Sequence, residues 1–440
     1  MNKKLLLVLP TSKGGFWGKV HNGKAGLVRL SLPTVAALTP PDWDVLIHDA
    51  RTDAVDYGLK VDLVGITAFT PEVPQAYQIA DNFRKRGVPV VMGGVHVSAL
   101  PDEALEHADT VIICEAEDVW EILLRDLEAG KLQKIYRATK PCDMYDMKIP
   151  KRHLIEREMY VSPNTIQATR GCPFDCDYCA VTGVFGRQFR MRPVKDVVEE
   201  VAAFDTQNYF FVDDNICGNP GYAKKLFRAL IPLRKTWGGQ TSITFARDEE
   251  LLELYAKSGG RYAFIGFETI SEENLIKANK KWNQVDSYGE MIRKIHRAGI
   301  NIVGSFIFGF DDDDVLAFQR TFEFIVENQI DAAQFHILTP FPGTRLFESM
   351  KSEKRILSQD WSKYTTSEVV FQPRKMTVEE LQENYYWIFH KTNSAYNIIK
   401  RVFRSWRGIP YRLYINASYR NKARRMPRKR KSTCFDLTKP

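Results

Sequence analysis

The chain has 440 residues, 44% of them hydrophobic, with 62 Lys and Arg against 54 Asp and Glu and a formal net charge of +8. That length suits two or three globular domains with ordinary cores, and no stretch reaches the roughly 20 apolar residues a bilayer span needs. An odd set of seven cysteines, with only a short apolar run before Pro10 in MNKKLLLVLP, argues against a disulfide framework and a secretory leader; a reducing, cytoplasmic setting is expected.

From the amino terminus, the apolar runs KLLLVLP, DVLIHDA, DLVGITAF, VPVVMGG and TVIICEA alternate with helical patterns such as PEVPQAYQIADNFRKRG. β-Branched runs flanked by Gly and Pro read as strands buried on both faces. Residues 1–135 are therefore expected to form a doubly wound α/β domain of the Rossmann or flavodoxin kind. Ligands of such sheets sit at the carboxyl ends of the strands, here Pro10 to Gly15, Thr67 to Thr70 and Gly93 to His96. Their small and polar residues suit a large flat ligand, although Gly93 and Gly94 read equally well as a plain βα turn.

Residues 136–160, with RATKPCDMYDMKIPKRHL, read as a linker. A second alternation occupies 161–346, with strand-like NTIQAT, YFFVDD, TSITFA, YAFIGFE, INIVGSFIFG and AAQFHIL separated by helical stretches. Six βα units make most of an eight-unit barrel, so a partial (β/α)6 barrel with its chemistry at the carboxyl ends of the strands is expected. Residues 347–440 read as a mainly helical region with a basic tail.

Directly after the first barrel strand comes TRGCPFDCDYCA, with Cys172, Cys176 and Cys179. Thiolates at i, i+4 and i+7 on a loop can wrap one inorganic centre, iron–sulfur or zinc. Structural zinc wants four ligands, and no fourth cysteine or histidine stands nearby at finger spacing; Cys217, in the next βα loop, is the one residue available to complete a site. A three-cysteine set fits a cubane cluster with one iron left open.

CPFDCDYC, a CxxxCxxC pattern with the aromatic Tyr178 before its last cysteine, resembles the signature of radical S-adenosylmethionine enzymes. The resemblance implies a 4Fe-4S cluster on Cys172, Cys176 and Cys179, whose open iron chelates S-adenosylmethionine and whose electron cleaves it to a hydrogen-abstracting radical. YFFVDDNICGN is similar to the family's second-strand segment, implying that Asp213, Asp214 and Asn215 line the cofactor end of the barrel. YAFIGFETISEENL implies that Glu268 sits near the S-adenosylmethionine, and GSFIFGFDDD, with Ser305, resembles the segment that supports its adenine; TPFPGTRLF resembles the loop after strand six. Read alone, Glu268 is equally a helix N-terminal charge.

The first domain resembles the cobalamin-binding domain joined to many of these enzymes, which implies cobalamin held near Thr67, Gly93 and Gly94. No Asp-x-His-x-x-Gly is present, so no histidine is offered below the cobalt, and the usual Gly-Glu after the last strand reads Cys114-Glu115. Cys114 is expected to be a small buried residue. Cys142 and Cys434 have no ligand spacing. His21, His96 and His336 stand near expected ligand ends but read as structural. Arg187, Arg190 and Arg192 suit either a cofactor or substrate anion or a solvated basic run.

In SAYNIIKRVFRSWRGIPYRLYINASYRNKARRMPRKRK, residues Tyr396, Ile399, Val402, Phe403 and Trp406 share one helical face, with Lys400, Arg404 and Arg407 beside it and Pro410 ending the pattern. A basic amphipathic helix of this kind suits an anionic membrane surface, and so peripheral placement on the inner face of the membrane. Nonspecific nucleic-acid binding and packing on the barrel before a disordered tail are the alternatives. Together the motifs imply a cobalamin-dependent methyltransferase that acts on an unactivated carbon of a small, lipid-like molecule and draws on a reductant such as flavodoxin or ferredoxin. A radical cyclase or oxidative enzyme on a lipid or tetrapyrrole would carry the same motifs. A non-catalytic cobalamin or nucleic-acid binding module would not explain the three thiolates.

Overall fold

In the computed structural model of the chain, which describes residues 2–12, 24–405 and 408–427, two six-stranded parallel sheets follow one another. The first places β1 (Lys3–Leu9) between β2 (Trp43–Asp49) and β3 (Leu63–Thr67), then runs outward through β4 (Val90–Gly93), β5 (Thr110–Ile113) and β6 (Ile135–Arg137). Alternate residues of β1 serve opposite faces: Leu6 and Val8 pack with Ile79 and Phe83, while Leu5, Leu7 and Leu9 pack with Leu32 and Trp120. Burial on both faces is why the strands read as unbroken apolar runs. Strand order reverses between β1 and β3, so a crevice opens outside their carboxyl ends. Three short strands were not expected. β6 buries only Tyr136, and Ala25–Leu27 pairs with Tyr160–Ser162; three-residue edges carry too little periodicity to register in a sequence.

The second sheet is an open arc in chain order: β7 (Thr165–Ile166), β8 (Asn208–Phe211), β9 (Thr236–Thr241), β10 (Gly260–Glu268), β11 (Asn301–Phe308) and β12 (Ala332–Ile337). The third strand departs from expectation. TSITFA contributes only Thr241 to it, and Ile243–Arg247 is a 3-10 turn. The true strand carries Gly238 and Gly239, where an added Cβ would meet Phe210 at 3.2 Å and Phe211 at 3.2 Å respectively. Aromatic neighbours fill the space that side chains would occupy, and the strand loses its apolar signature.

The carboxyl-terminal region folds as three helices, Val378–Thr392, Ala395–Val402 and Ile409–Arg425. Thr377 and Glu380 form a reciprocal cap on the first. The single amphipathic helix expected through Arg407 stops at Val402, and Pro410 opens a second helix in its first turn, where the missing N–H costs nothing. Val402 is buried, whereas Tyr396, Ile399 and Phe403 face solvent. Several of the basic residues turn inward: Arg404 pairs with Asp331 at 2.6 Å, Arg401 donates to Asn416 and Arg412 to Asn301. Trp406, Arg407 and residues 428–440 lie outside the described residues. No described helix is long and apolar enough to cross a membrane.

Candidate active site

β7 leads into a loop pinched at its base by a two-residue ribbon, Thr169–Arg170 against Arg190–Met191. Gly171 holds φ 85° there, and a Cβ on it would lie 2.3 Å from the Gln188 carbonyl oxygen, so the ribbon closes only with glycine. Cys172, Cys176 and Cys179 stand on this loop, each partly buried. Burial pushes the Cys172 thiol up to about 11 and the Cys176 thiol to about 12, and raises Cys179 likewise. Three half-buried thiols in one short loop become thiolates when a metal cation compensates their charge, and that donor set fits an iron–sulfur centre. Cys217 does not join them; it is enclosed in the barrel core beside Ile216. Among the described residues, no three His, Cys, Asp or Glu side chains close on a single ion.

The end of β8 anchors the root of the loop. Asp213 is fully buried and accepts hydrogen bonds from the Ala168 N–H at 3.1 Å, the Thr169 N–H and the Thr169 hydroxyl at 2.7 Å; burial pushes its carboxyl up to about 7. Asp214 accepts from the Gly171 N–H at 3.2 Å and faces the cavity described below. Asn215 is buried, accepting from Thr241 at 3.4 Å.

Under the loop, Glu268 has φ 66° and accepts from Lys280 Nζ at 2.5 Å, and Lys280 also donates to the Gly266 carbonyl at 3.0 Å. Burial alone would lower the ammonium, but Glu268 keeps Lys280 above its ordinary value. Gly266 leaves room for this pair, since a Cβ would sit 2.3 Å from Glu268 Oε1. Ser305 stands opposite Gly266 on β11, also buried. The Tyr178 hydroxyl is buried beside the Cys176 thiol, and its ring meets Phe310 edge-on at 6.0 Å.

A cavity of about 1340 Å³ joins the two sheets and the carboxyl-terminal helices. The first sheet contributes its strand ends, Thr11, Ser12, Thr67, Gly93, Gly94 and Cys114; the barrel contributes Gln167, Arg170, Asp214 and Gln240; the helices contribute Tyr385, Tyr386, Tyr419, Lys422 and Arg425. Gly94 takes φ 104°, and a Cβ on it would come within 2.8 Å of Thr67 Oγ1 and 2.9 Å of the Ala68 carbonyl oxygen. Small residues at a strand-order reversal, under a space wider than the roughly 300–1,000 Å³ of ordinary ligand sites, fit a flat corrin.

Cys114 corrects an expectation. It is exposed on the cavity wall at φ 68°, its thiol donating to the Val184 carbonyl at 3.4 Å; a left-handed backbone explains why the related motif has glycine here. His96 is fully buried between Thr70 and Glu103, edge-on to Trp361, and His336 is held by Gln334 and Thr366, with burial pulling it down to about 3. His21 lies outside the described residues.

Glu115 ties the two halves together. Its carboxylate accepts from Arg170 at 2.8 Å, from Arg190 at 2.7 Å and from the Cys142 backbone N–H at 2.8 Å. One buried side chain thus joins the end of β5, the Cys142 segment and both flanks of the cysteine loop. Glu117 adds a second carboxylate on Arg170 at 2.8 Å. Arg190 and Arg192 are therefore neither solvated nor free for an anion, because they pair with Glu115 and Glu200, whereas Arg187 pairs with Asp175 and stays exposed. Lys280, Arg170 and Glu115 were not singled out as a site in the sequence; Arg170 adjoining Gly171-Cys172 was the available signal.

Residues 166–325 match the family model of the Radical SAM superfamily, and residues 32–124 match that of the B12 binding domain. Over 412 residues the chain is 35% identical to bacteriochlorophyllide d C-12(1)-methyltransferase of Chlorobaculum tepidum, covering 91% of this chain and 89% of that one. It is 31% identical over 373 residues to bacteriochlorophyllide d C-8(2)-methyltransferase of the same organism, covering 78% and 80%. The solved structure of the cobalamin-dependent S-adenosylmethionine radical enzyme OxsB with aqua-cobalamin bound shares the fold, at TM-score 0.68 and 14% identity over 96% of this chain and 72% of that one. With the thiol loop, the strand-end cavity and this likeness over nearly its whole length, the chain belongs to the radical S-adenosylmethionine superfamily, among its cobalamin-dependent methyltransferases.

Proposed function

We propose that the enzyme methylates an unactivated carbon on the periphery of a chlorin or related tetrapyrrole lying in the cavity between the first sheet and the carboxyl-terminal helices. The observation that carries this reading is the cavity itself. It runs from the strand-order reversal of the first sheet to Arg170 and Asp214 beside the thiol loop and on to Tyr385 and Tyr386, so a large flat substrate has room next to both cofactors. The two bacteriochlorophyllide methyltransferases support the substrate class.

In this proposal residues 1–135 hold cobalamin, 136–160 link, 161–346 hold the cluster and S-adenosylmethionine, and 347–440 complete the substrate wall. Cys172, Cys176 and Cys179 are the cluster ligands. Tyr178, Glu268, Ser305 and Asp214 surround S-adenosylmethionine; Asp213 and Asn215 act behind them by fixing the loop root. Thr67, Gly93 and Gly94 form the corrin floor. When bound, the cofactors supply hydrogen-atom abstraction and the methyl group. The chain itself positions the substrate and keeps bulk water out, while the Glu268–Lys280 pair stays internally neutral. A reductant such as flavodoxin or ferredoxin supplies electrons. Exposed Tyr396, Ile399 and Phe403 beside Lys400 support a peripheral membrane contact, where a poorly soluble substrate would be met.

The test is anaerobic turnover of the reconstituted enzyme with methyl-labelled S-adenosylmethionine and a set of chlorins. Label on carbon of the chlorin is the expected result. An unlabelled, ring-closed or oxidised product would favour the cyclase or oxidative alternative.

A further inference from the structure

The outer side of the thiol loop is tied to two later segments of the barrel, and the three make one surface. Phe174, between Cys172 and Cys176, stacks on Trp282 with ring centroids 4.1 Å apart and planes 8° from parallel. Asn279 donates to the Asp175 carbonyl at 2.8 Å, and the Leu346 N–H donates to the Asp177 carbonyl at 3.0 Å. Both rings of the stack are half-buried, and Pro173 beside them is exposed. A flat aromatic pair thus reaches solvent on the loop that carries the thiols.

Charge on this surface is layered. Asp175 pairs with Arg187 and with Arg345, yet its side chain is only 13% exposed, whereas the two arginines are 65% and 53% exposed. Arg345 also covers Asp177 at 2.7 Å. Beyond the Asn279 contact, Lys277 stands 60% exposed over Asp312 at 23%. Lys281 is exposed next to Trp282, and Arg247 donates to the Trp282 carbonyl at 3.2 Å and to Gln284 at 3.0 Å rather than to a carboxylate. Glu273 adds one exposed acid at the edge, beside Lys277. The carboxylates of the loop lie beneath and the cations outermost, so an approaching macromolecule meets positive potential around an uncharged centre. That is the layout of a polar rim about an apolar core, and it selects a partner of opposite charge.

We infer that this surface docks an acidic flavodoxin, whose flavin edge lies against Phe174 and Trp282 and delivers one electron to the cluster of the thiol loop. The inference rests on the proposed use of a flavodoxin or ferredoxin reductant, and it names which of the two makes contact and where. The exposed edge of a flavin is flat and apolar, as the aromatic pair is, and carboxylates around that flavin meet the cationic rim. The anionic flavin hydroquinone loses the electron and the cluster gains it, so no proton has to cross the interface.

The test uses the full-length protein with its cluster reconstituted anaerobically, mixed in stopped flow with the hydroquinone form of an acidic flavodoxin, whose oxidation is followed by flavin absorbance. The second-order rate should fall as salt rises toward 1 M, where the Debye length is about 3 Å. Lys277→Glu with Lys281→Glu should slow the reaction about tenfold or more at low salt and approach the native rate at high salt. Lys281→Glu alone, at an exposed site, should slow it severalfold, with iron content and the extent of reduction by dithionite unchanged. Lys60→Glu with Lys131→Glu, an equal change of charge on exposed sites of the first domain, should have far less effect. Equal slowing by the two double variants would overturn the inference, because net charge rather than this surface would then guide the encounter; an unchanged rate in the Lys277 and Lys281 variants would overturn it as well. Fast reduction by a ferredoxin but not by flavodoxin would overturn it and leave the reductant reading standing. If neither protein reduces a cluster that dithionite reduces, the reductant reading falls, and this inference with it.

Discussion

Replacing Glu115 breaks the carboxylate that joins the two sheets. Arg190, Arg170 and the Cys142 N–H hold its carboxyl down at about 2 although the side chain is only 5% exposed. Against an ordinary glutamate near 4.3, that depression corresponds to ~3 kcal/mol of folded-state stability, of which ~2 kcal/mol survives screening at a domain boundary. A depressed carboxyl contributes fully above its unfolded value and loses its contribution as pH falls from about 4 toward 2. Glu115→Gln keeps the size and one acceptor and should cost ~2 kcal/mol at neutral pH. Glu115→Ala strands the two arginines and should cost ~3–5 kcal/mol, with Glu117 still on Arg170 limiting the loss. Urea unfolding of the cofactor-free protein at pH 7, followed by tryptophan fluorescence, reads both, and a repeat at pH 3.5 should show the gap between native and Gln forms narrowing. A loss below ~0.5 kcal/mol for the Ala variant at pH 7 would refute the claim that this contact holds the halves together.

Cys172, Cys176 and Cys179 changed together to Ala should abolish the brown chromophore and reductive cleavage of S-adenosylmethionine, whereas Cys217→Ala should keep about four irons per chain by metal analysis. Gly94→Ala puts a methyl group against Thr67 and the Ala68 carbonyl at a left-handed φ, and should cut cobalamin retained after desalting at least ~10-fold, or cost ~1 kcal/mol or more of stability. Tyr396→Ser with Phe403→Ser removes exposed apolar area and should abolish flotation with anionic vesicles without changing the melting temperature; unchanged flotation would reject the membrane contact.

The sequence was most legible where one local rule decides the structure. Buried parallel strands show as apolar runs, and a three-thiol loop shows as spacing, so most strands of both sheets and the thiol loop could be read directly. Legibility failed where the reason for a residue lies elsewhere in the chain. Gly238 and Gly239 hide a central strand because Phe210, Phe211 and Tyr262 fill the space above them. Lys280 sits in a lysine-rich stretch, and only the fold shows that it, rather than Lys277 or Lys281, meets Glu268. Glu115 finds its arginines 55 and 75 residues away. Counting cations at the carboxyl terminus likewise cannot reveal that Asp331 has claimed Arg404.

No single domain lines the whole cavity, and this constrains how its ligands can be coupled. A cofactor that touches both the strand ends of the first sheet and the barrel mouth binds only the closed arrangement, so its apparent affinity falls by the fraction of molecules that are closed. Losing ~2 kcal/mol at Glu115 lowers that fraction appreciably only if the remaining contacts hold closure by a similar margin. Those contacts include the parallel pairing of Ala25–Leu27 with Tyr160–Ser162 and the Tyr160 hydroxyl donating to Asp49 at 2.6 Å. If they suffice, Glu115→Gln loses stability and keeps its cobalamin affinity; if they do not, affinity falls, and by linkage bound cobalamin restores stability to the variant more than to the native chain. Urea midpoints of both forms, with and without cobalamin, separate the two cases, because only a partly open variant gains more from the ligand than the native protein does.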